Sequence, residues 1–234
     1  MSTPPSRVIV PLDVPTLAEA VAMARRLAGH VAAVKIGKQL FTAEGPAVVR
    51  AMRELGFPVF LDLKYHDIPT TVAGAVAAAK ALGVWMLNVH ASGGAEMMRA
   101  AAKAAAGPGR PLVIAVTVLT SFSEDAYRAI TGTARTLEAQ VRHLARETKA
   151  AGLDGVVASP REIRAIREEC GPGFLIVTPG VRSADAALND QQRVMTPADA
   201  IRAGADYLVI GRPITAAPDP AEAVRRINAA CHEP

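Results

Sequence analysis

Residues 59–72 read VFLDLKYHDIPTTV. Side chains alternate across a strand, so Phe60, Asp62, Lys64 and His66 share one face and Val59, Leu61, Leu63 and Tyr65 the other. The second set is apolar and suits a covering layer of helices. The first set then points away from the helices, which places an acid, an amine and a histidine where a buried strand ends. The Ile-Pro-Thr-Thr that follows breaks the strand. The stretch is the middle of a strand-to-helix unit with charge at its junction.

Seven further apolar runs have the same character: RVIVPLDV at 7–14, VAAVKIG at 31–37, WMLNVHA at 85–91, PLVIAVTVL at 111–119, GVVAS at 155–159, FLIVTPGV at 174–181 and YLVIGRPI at 207–214. Helix-period segments stand between them, among them 18–27, 46–55, 95–105, 137–150, 162–169, 198–202 and 221–230. Alternating βα units imply parallel strands, because a right-handed crossover returns the chain to the same end of the sheet. Eight units in 234 residues match a closed barrel better than an open doubly wound sheet, and no GxGxxG opens a helix after the first strand. No Pro/Gly/Ser-rich linker divides the chain. The expected architecture is α/β, a single (β/α)8 TIM barrel over residues 1–234.

Half of the residues are hydrophobic and only 4% aromatic, a composition that favours small, regular helix-on-sheet packing. The net charge is +4, but Lys and Arg are spread along the chain rather than gathered into an aromatic-interleaved stripe. A small anionic ligand is expected, and no nucleic acid. Cys170 and Cys231 have neither metal nor redox spacing, the first residues lack an apolar leader, and every apolar run is too short to span a bilayer. These features point to a cytoplasmic protein without membrane attachment. The same scan finds no metal-ligand spacing and implies no cofactor.

In a (β/α)8 barrel the chemistry lies at the carboxyl ends of the strands. Strand one runs out at Asp13 and strand two carries Lys35 near its end. With neighbouring strands about 4.8 Å apart, Asp13, Lys35, Asp62 and Lys64 can form one alternating acid–base array at the barrel mouth. Buried charges of this kind cost several kcal/mol each unless paired, so four together suit a catalytic role better than a structural one. An ammonium between carboxylates is a proton donor rather than a Schiff-base nucleophile. Two connections, 120–136 and 183–196, are longer than joining strands to helices requires and are expected to act as lids.

DLKYHDIPTTV resembles the D-x-K-x-x-D segment of the orotidine 5'-phosphate decarboxylase family, in the DLK-x-HDIP-x-T form of its bacterial members. The resemblance spans the chain in order: PLDV at 11–14, KIG at 35–37, NVHASGG at 88–94, TVLTS at 117–121, TPGVR at 178–182, DQQR at 190–193 and GRPI at 211–214. Pro11, Tyr65 and Thr70 depart from the usual family residues without removing a functional group.

The resemblance implies conversion of orotidine 5'-monophosphate to UMP and carbon dioxide, the last step of de novo UMP synthesis. Lys64 would protonate C6, with Asp62 beside the departing carboxylate and Lys35 flanking them. Asp13 and Lys35 would hold the ribose hydroxyls, and Thr120 the pyrimidine edge. Asp67, Ile68 and Thr71 would reach the site of a partner subunit, making the functional unit a homodimer. Phosphate has a separate warrant, since barrel enzymes often bind it after strands seven and eight. Gly180 and Gly211 there allow close backbone approach, Arg182 and Arg212 offer charge-assisted hydrogen bonds, and Gln191 would close over the group. His66 and His90 are left out of the catalytic set. A Mg²⁺-dependent phosphosugar enzyme of the same barrel type, or a catalytically silent nucleotide binder, are the alternatives.

Overall fold

The computed structural model describes residues 6–181 and 195–232. Eight parallel strands close into a barrel in sequence order: β1 Val8–Pro11, β2 Ala33–Gly37, β3 Val59–Tyr65, β4 Met86–His90, β5 Leu112–Val116, β6 Gly155–Val157, β7 Leu175–Pro179 and β8 Tyr207–Val209. β8 returns to β1, where Val8 pairs with Leu208 and Ile9 with Val209. The expected (β/α)8 architecture is therefore the observed one.

The connecting helices are α1 Leu17–Leu27, α2 Lys38–Glu44, α3 Pro46–Glu54, α4 Pro69–Ala81, α5 Gly94–Ala105, α6 Glu124–Thr131, α7 Leu137–Ala150, α8 Ile163–Cys170, α9 Pro197–Ala203, α10 Arg212–Thr215 and α11 Pro220–His232. No helix among the described residues is long and apolar enough to cross a membrane. Their starts follow capping chemistry. Thr16, Ser123, Thr136 and Thr196 each accept a backbone N–H of the first turn, satisfying donors that have no partner within the helix.

Alternation along the strands divides the core in two. Outward-facing residues such as Val8, Val10, Val34, Ile36, Val59, Leu61, Leu87 and Val89 pack under the helices. Leu63 and Tyr65 join this layer as the alternation predicts. Inward-facing Ile9, Ala33, Phe60, Met86, Ile114 and Val177 fill the barrel as a separate cluster. At the amino ends of the strands Trp85 and Tyr207 pack against this cluster and meet edge to face, ring centroids 5.2 Å apart. The interior leaves no spare room at Gly155, where a Cβ would stand 2.2 Å from the Leu175 carbonyl oxygen.

The connection 120–136, which reads from the sequence as a long loop, contains a helix: α6 folds within it, capped by Ser123 and ended by Gly132 in the left-handed conformation. The Ser, Thr and Gly that make this stretch look like loop supply the helix ends instead. Most of the other long connection, 183–196, lies outside the described residues.

Candidate active site

The barrel places its charges where the apolar filling stops. Lys35 stands in the middle of β2, in register with Pro11 of β1 and Phe60 of β3, and Asp62 follows two residues later on the inward face. Both are nearly sealed from solvent, at 8% and 9% exposure. Lys35 Nζ lies 3.0 Å from Asp62 Oδ2 and 3.5 Å from Asp13 Oδ1, and Lys64 Nζ lies 2.5 Å from Asp62 Oδ1. Asp13, just past β1, keeps its carboxylate mostly exposed. The four residues thus alternate acid, base, acid, base across the mouth. Gly37 makes room for the first pair, since a Cβ there would stand 3.2 Å from both Asp13 Oδ1 and Lys35 Nζ.

Asp62 holds the array together. Burial alone would raise its carboxyl pKa, but the Lys35 and Lys64 ammoniums and hydrogen bonds from Lys64 and Asn88 outweigh burial and hold it below the ordinary value. The carboxylate is charged at neutral pH, with a cation on each oxygen.

Lys64 occupies an unusual backbone state. Among the described residues it is the one non-glycine with positive φ, +55°. This left-handed conformation costs an L residue on the order of 1–2 kcal/mol. It coincides with a shift in the β3–β4 ladder, in which Leu61 pairs with Leu87 but the next pair is Tyr65 with Val89. Four steps along β3 thus match two along β4, so the regular strand assumed from the sequence gives way to a bulge at the lysine.

Asn88, which sequence reasoning passed over, sits opposite this bulge with no solvent exposure. Its Nδ2 donates to Asp62 Oδ1 at 2.7 Å, and its Oδ1 accepts from the Lys64 backbone N–H at 2.8 Å. The available signal was a lone amide inside the apolar run WMLNVHA.

The remaining expected residues are arranged as follows. Asp67 and Thr71 are exposed, and Ile68 between them is 64% exposed despite its size. Asp67 Oδ1 accepts the Ile68 N–H at 2.6 Å, so all three stand beyond β3 and none joins the array of its own chain. Thr120 lies in an exposed turn after β5. Gly211 caps α10, with Arg212 exposed at its first position. Gly180 takes a left-handed φ of +80° after β7. Arg182 and Gln191 lie outside the described residues. His66 and His90 stack loosely at 5.5 Å beside the mouth. Burial first, then the nearby His66, Lys64 and Lys38 charges, push the His90 pKa down to about 4, so its ring is neutral at pH 7.

A cleft of about 990 Å³ adjoins the tops of β5, β6 and β7, with Thr120, Ser159, Glu162, Gly180 and Arg202 among its walls. The array is not part of that lining. Glu162 is 8% exposed and accepts the Ser159 N–H at 2.9 Å in a capping box. Burial pushes its pKa up to about 7, against the Ser159 hydrogen bond and with help from Glu138. A carboxyl raised on folding stabilises the folded state below its unfolded value, near 4.5, and loses that contribution as pH rises through about 7. Glu162→Gln is therefore expected to flatten the pH dependence of urea stability between pH 4.5 and 7.5 by roughly 2–3 kcal/mol. An unchanged slope in the variant would contradict this.

Comparison with known proteins agrees with the geometry. Residues 6–227 match the model of the orotidine 5'-phosphate decarboxylase / HUMPS family. A Moorella thermoacetica protein named orotidine 5'-phosphate decarboxylase is 58% identical over 95% of this chain and 91% of its own length. One of the same name from Halorhodospira halophila is 56% identical over 98% of both. The crystal structure of orotidine 5'-phosphate decarboxylase from Lactobacillus acidophilus superposes with a TM-score of 0.87 at 36% identity, covering 97% of this chain and 100% of that one. By family model, sequence and structure, this chain belongs to the orotidine 5'-phosphate decarboxylase / HUMPS family.

Proposed function

We propose that this protein decarboxylates orotidine 5'-monophosphate to UMP. The observation that carries this reading is the Asp13–Lys35–Asp62–Lys64 array, which presents a fixed ammonium beside a fixed carboxylate at the barrel mouth. Breaking the bond between C6 and the carboxylate releases carbon dioxide and leaves both electrons in an sp² orbital on C6. No neighbouring carbonyl can delocalise that pair. The Lys64 ammonium stabilises it electrostatically and transfers a proton to C6, leaving an amine that solvent reprotonates. Asp62 fixes the ammonium and faces the departing carboxylate.

The ribose hydroxyls meet Asp13 and Lys35, the pyrimidine edge meets Thr120, and the phosphate meets the Gly211 backbone and Arg212, with Arg182 and Gln191 contributing from the β7 connection. The chain works as a homodimer in which Asp67, Ile68 and Thr71 complete the partner's site. Supporting this, all three side chains stand outward, and a large exposed aliphatic such as Ile68 suits a covered position better than water.

The test is the fall in ultraviolet absorbance as orotidine 5'-monophosphate is converted to UMP, with a chelator present. Rapid conversion supports both the reaction and its independence of metal. UMP binding without conversion would favour a silent nucleotide binder, and activity only with added Mg²⁺ would favour phosphosugar chemistry.

A further inference from the structure

We infer that Asn88 is a positioning residue for the reaction, fixing both the backbone of Lys64 and the rotation of the Asp62 carboxylate through one buried amide. The inference rests on the proposed role of Lys64 as proton donor. Asn88 belongs to β4, in register with Ile114 of β5, and follows Met86 on the inward face of the barrel. A side-chain amide without solvent contact is unfavourable unless its polar atoms are paired. Here both ends are used, and on two different parts of the same machinery.

The bulge explains the need. Because the β3–β4 pairing resumes only at Tyr65, Asp62, Leu63 and Lys64 all lie between consecutive ladder pairs. The Lys64 N–H therefore bonds to the Asn88 side-chain oxygen in place of a β4 carbonyl. The left-handed φ of Lys64 is held from the neighbouring strand. At its other end the amide N–H takes a defined place on Asp62 Oδ1, the oxygen that also accepts from Lys64 Nζ, while Oδ2 faces Lys35. The carboxylate can only accept and the backbone N–H can only donate, so the amide has one orientation that satisfies both. Leucine, of similar volume, would leave the Lys64 N–H unpaired and Asp62 Oδ1 without its amide donor, so that the two lysines alone would set the carboxylate's rotation, and serine would fall short of both partners.

The test compares Asn88→Leu and Asn88→Ser with the parent for kcat, KM and UMP affinity, alone and in a Lys64→Ala background. Mispositioning of a proton donor predicts a kcat lowered by roughly 10²-fold, with KM and UMP affinity changed by no more than a few-fold. It also predicts no further loss of residual rate when Lys64 is already alanine. A thermal midpoint that falls while kcat stays within about threefold would make Asn88 purely structural and overturn the inference. A raised KM at constant kcat would overturn it too, making Asn88 a substrate contact. Serine fits wherever asparagine does, so it decides the matter if the leucine form is insoluble. Retained activity in Lys64→Ala would instead sink the underlying reading of the lysine; an inactive Lys64→Ala with fully active Asn88 variants would sink this inference alone.

Discussion

Replacing Lys64 with alanine is expected to lower the decarboxylation rate by roughly 10⁴-fold or more while UMP still binds. The estimate combines two losses. Positioned proton transfer contributes about 10² to 10⁴ in rate, and a preorganised charge beside a developing carbanion contributes a further factor of about 10² to 10³. Both reside in one Nζ held 2.5 Å from Asp62 Oδ1. The nucleotide-binding residues proposed around the mouth are untouched, and Asp62 keeps Lys35 and Asn88 as partners. Steady-state turnover and a UMP titration on the same preparation check this, and a rate within 10²-fold of the parent would reject Lys64 as the proton donor. Lys64→Gly is expected to be as inactive yet about 1 kcal/mol more stable to urea than Lys64→Ala, because glycine accepts a φ of +55° without Cβ strain.

Removing the phosphate from the substrate is the second large change. Two or three charge-assisted hydrogen bonds at about 2 kcal/mol each, of the kind proposed for Gly211, Arg212 and the β7 connection, amount to ~4–6 kcal/mol. That corresponds to a fall of roughly 10³- to 10⁴-fold in kcat/KM for the nucleoside. Part of the loss should appear in kcat itself, because binding energy from a remote group is used to order and desolvate the reacting centre. Arg212→Ala supplies the control: it should weaken turnover of the nucleotide and leave that of the nucleoside unchanged. Equal kcat for the two substrates would remove the phosphate from the account of catalysis.

The barrel was legible because eight short, mostly β-branched runs recur along the chain with helix-period segments after nearly all of them. Helix α4 was harder to see, since PTTVAGAVAAAKA carries small residues on every face and shows little periodic contrast. Helix α6 hid within a stretch rich in Ser, Thr and Gly, where capping residues imitate loop. At the site, acids and lysines were conspicuous because they occupy apolar strand positions, and neighbouring β2 and β3 bring Lys35 and Asp62 together as strand spacing requires. The bulge was not legible. Lys64, the residue that takes the left-handed backbone, has no preference for it, and the conformation coincides with the slipped pairing to β4. Asn88 went unnoticed for the same reason, since its partners are defined only once the ladder has slipped.

Trp85, the one tryptophan of the sequence, lies at the opposite end of the barrel from Lys64 and against Tyr207. It precedes His90, at the mouth end of β4, by five residues, or about 16 Å of strand. The protein therefore carries an intrinsic fluorophore that senses closure of the barrel floor and is remote from whatever occupies the mouth. Ligand binding should raise the denaturant midpoint seen by Trp85 through linkage while leaving the native emission spectrum in place. The stability of the barrel, with and without ligand, can then be read from one native signal that the ligand itself does not disturb, without a dye or a label.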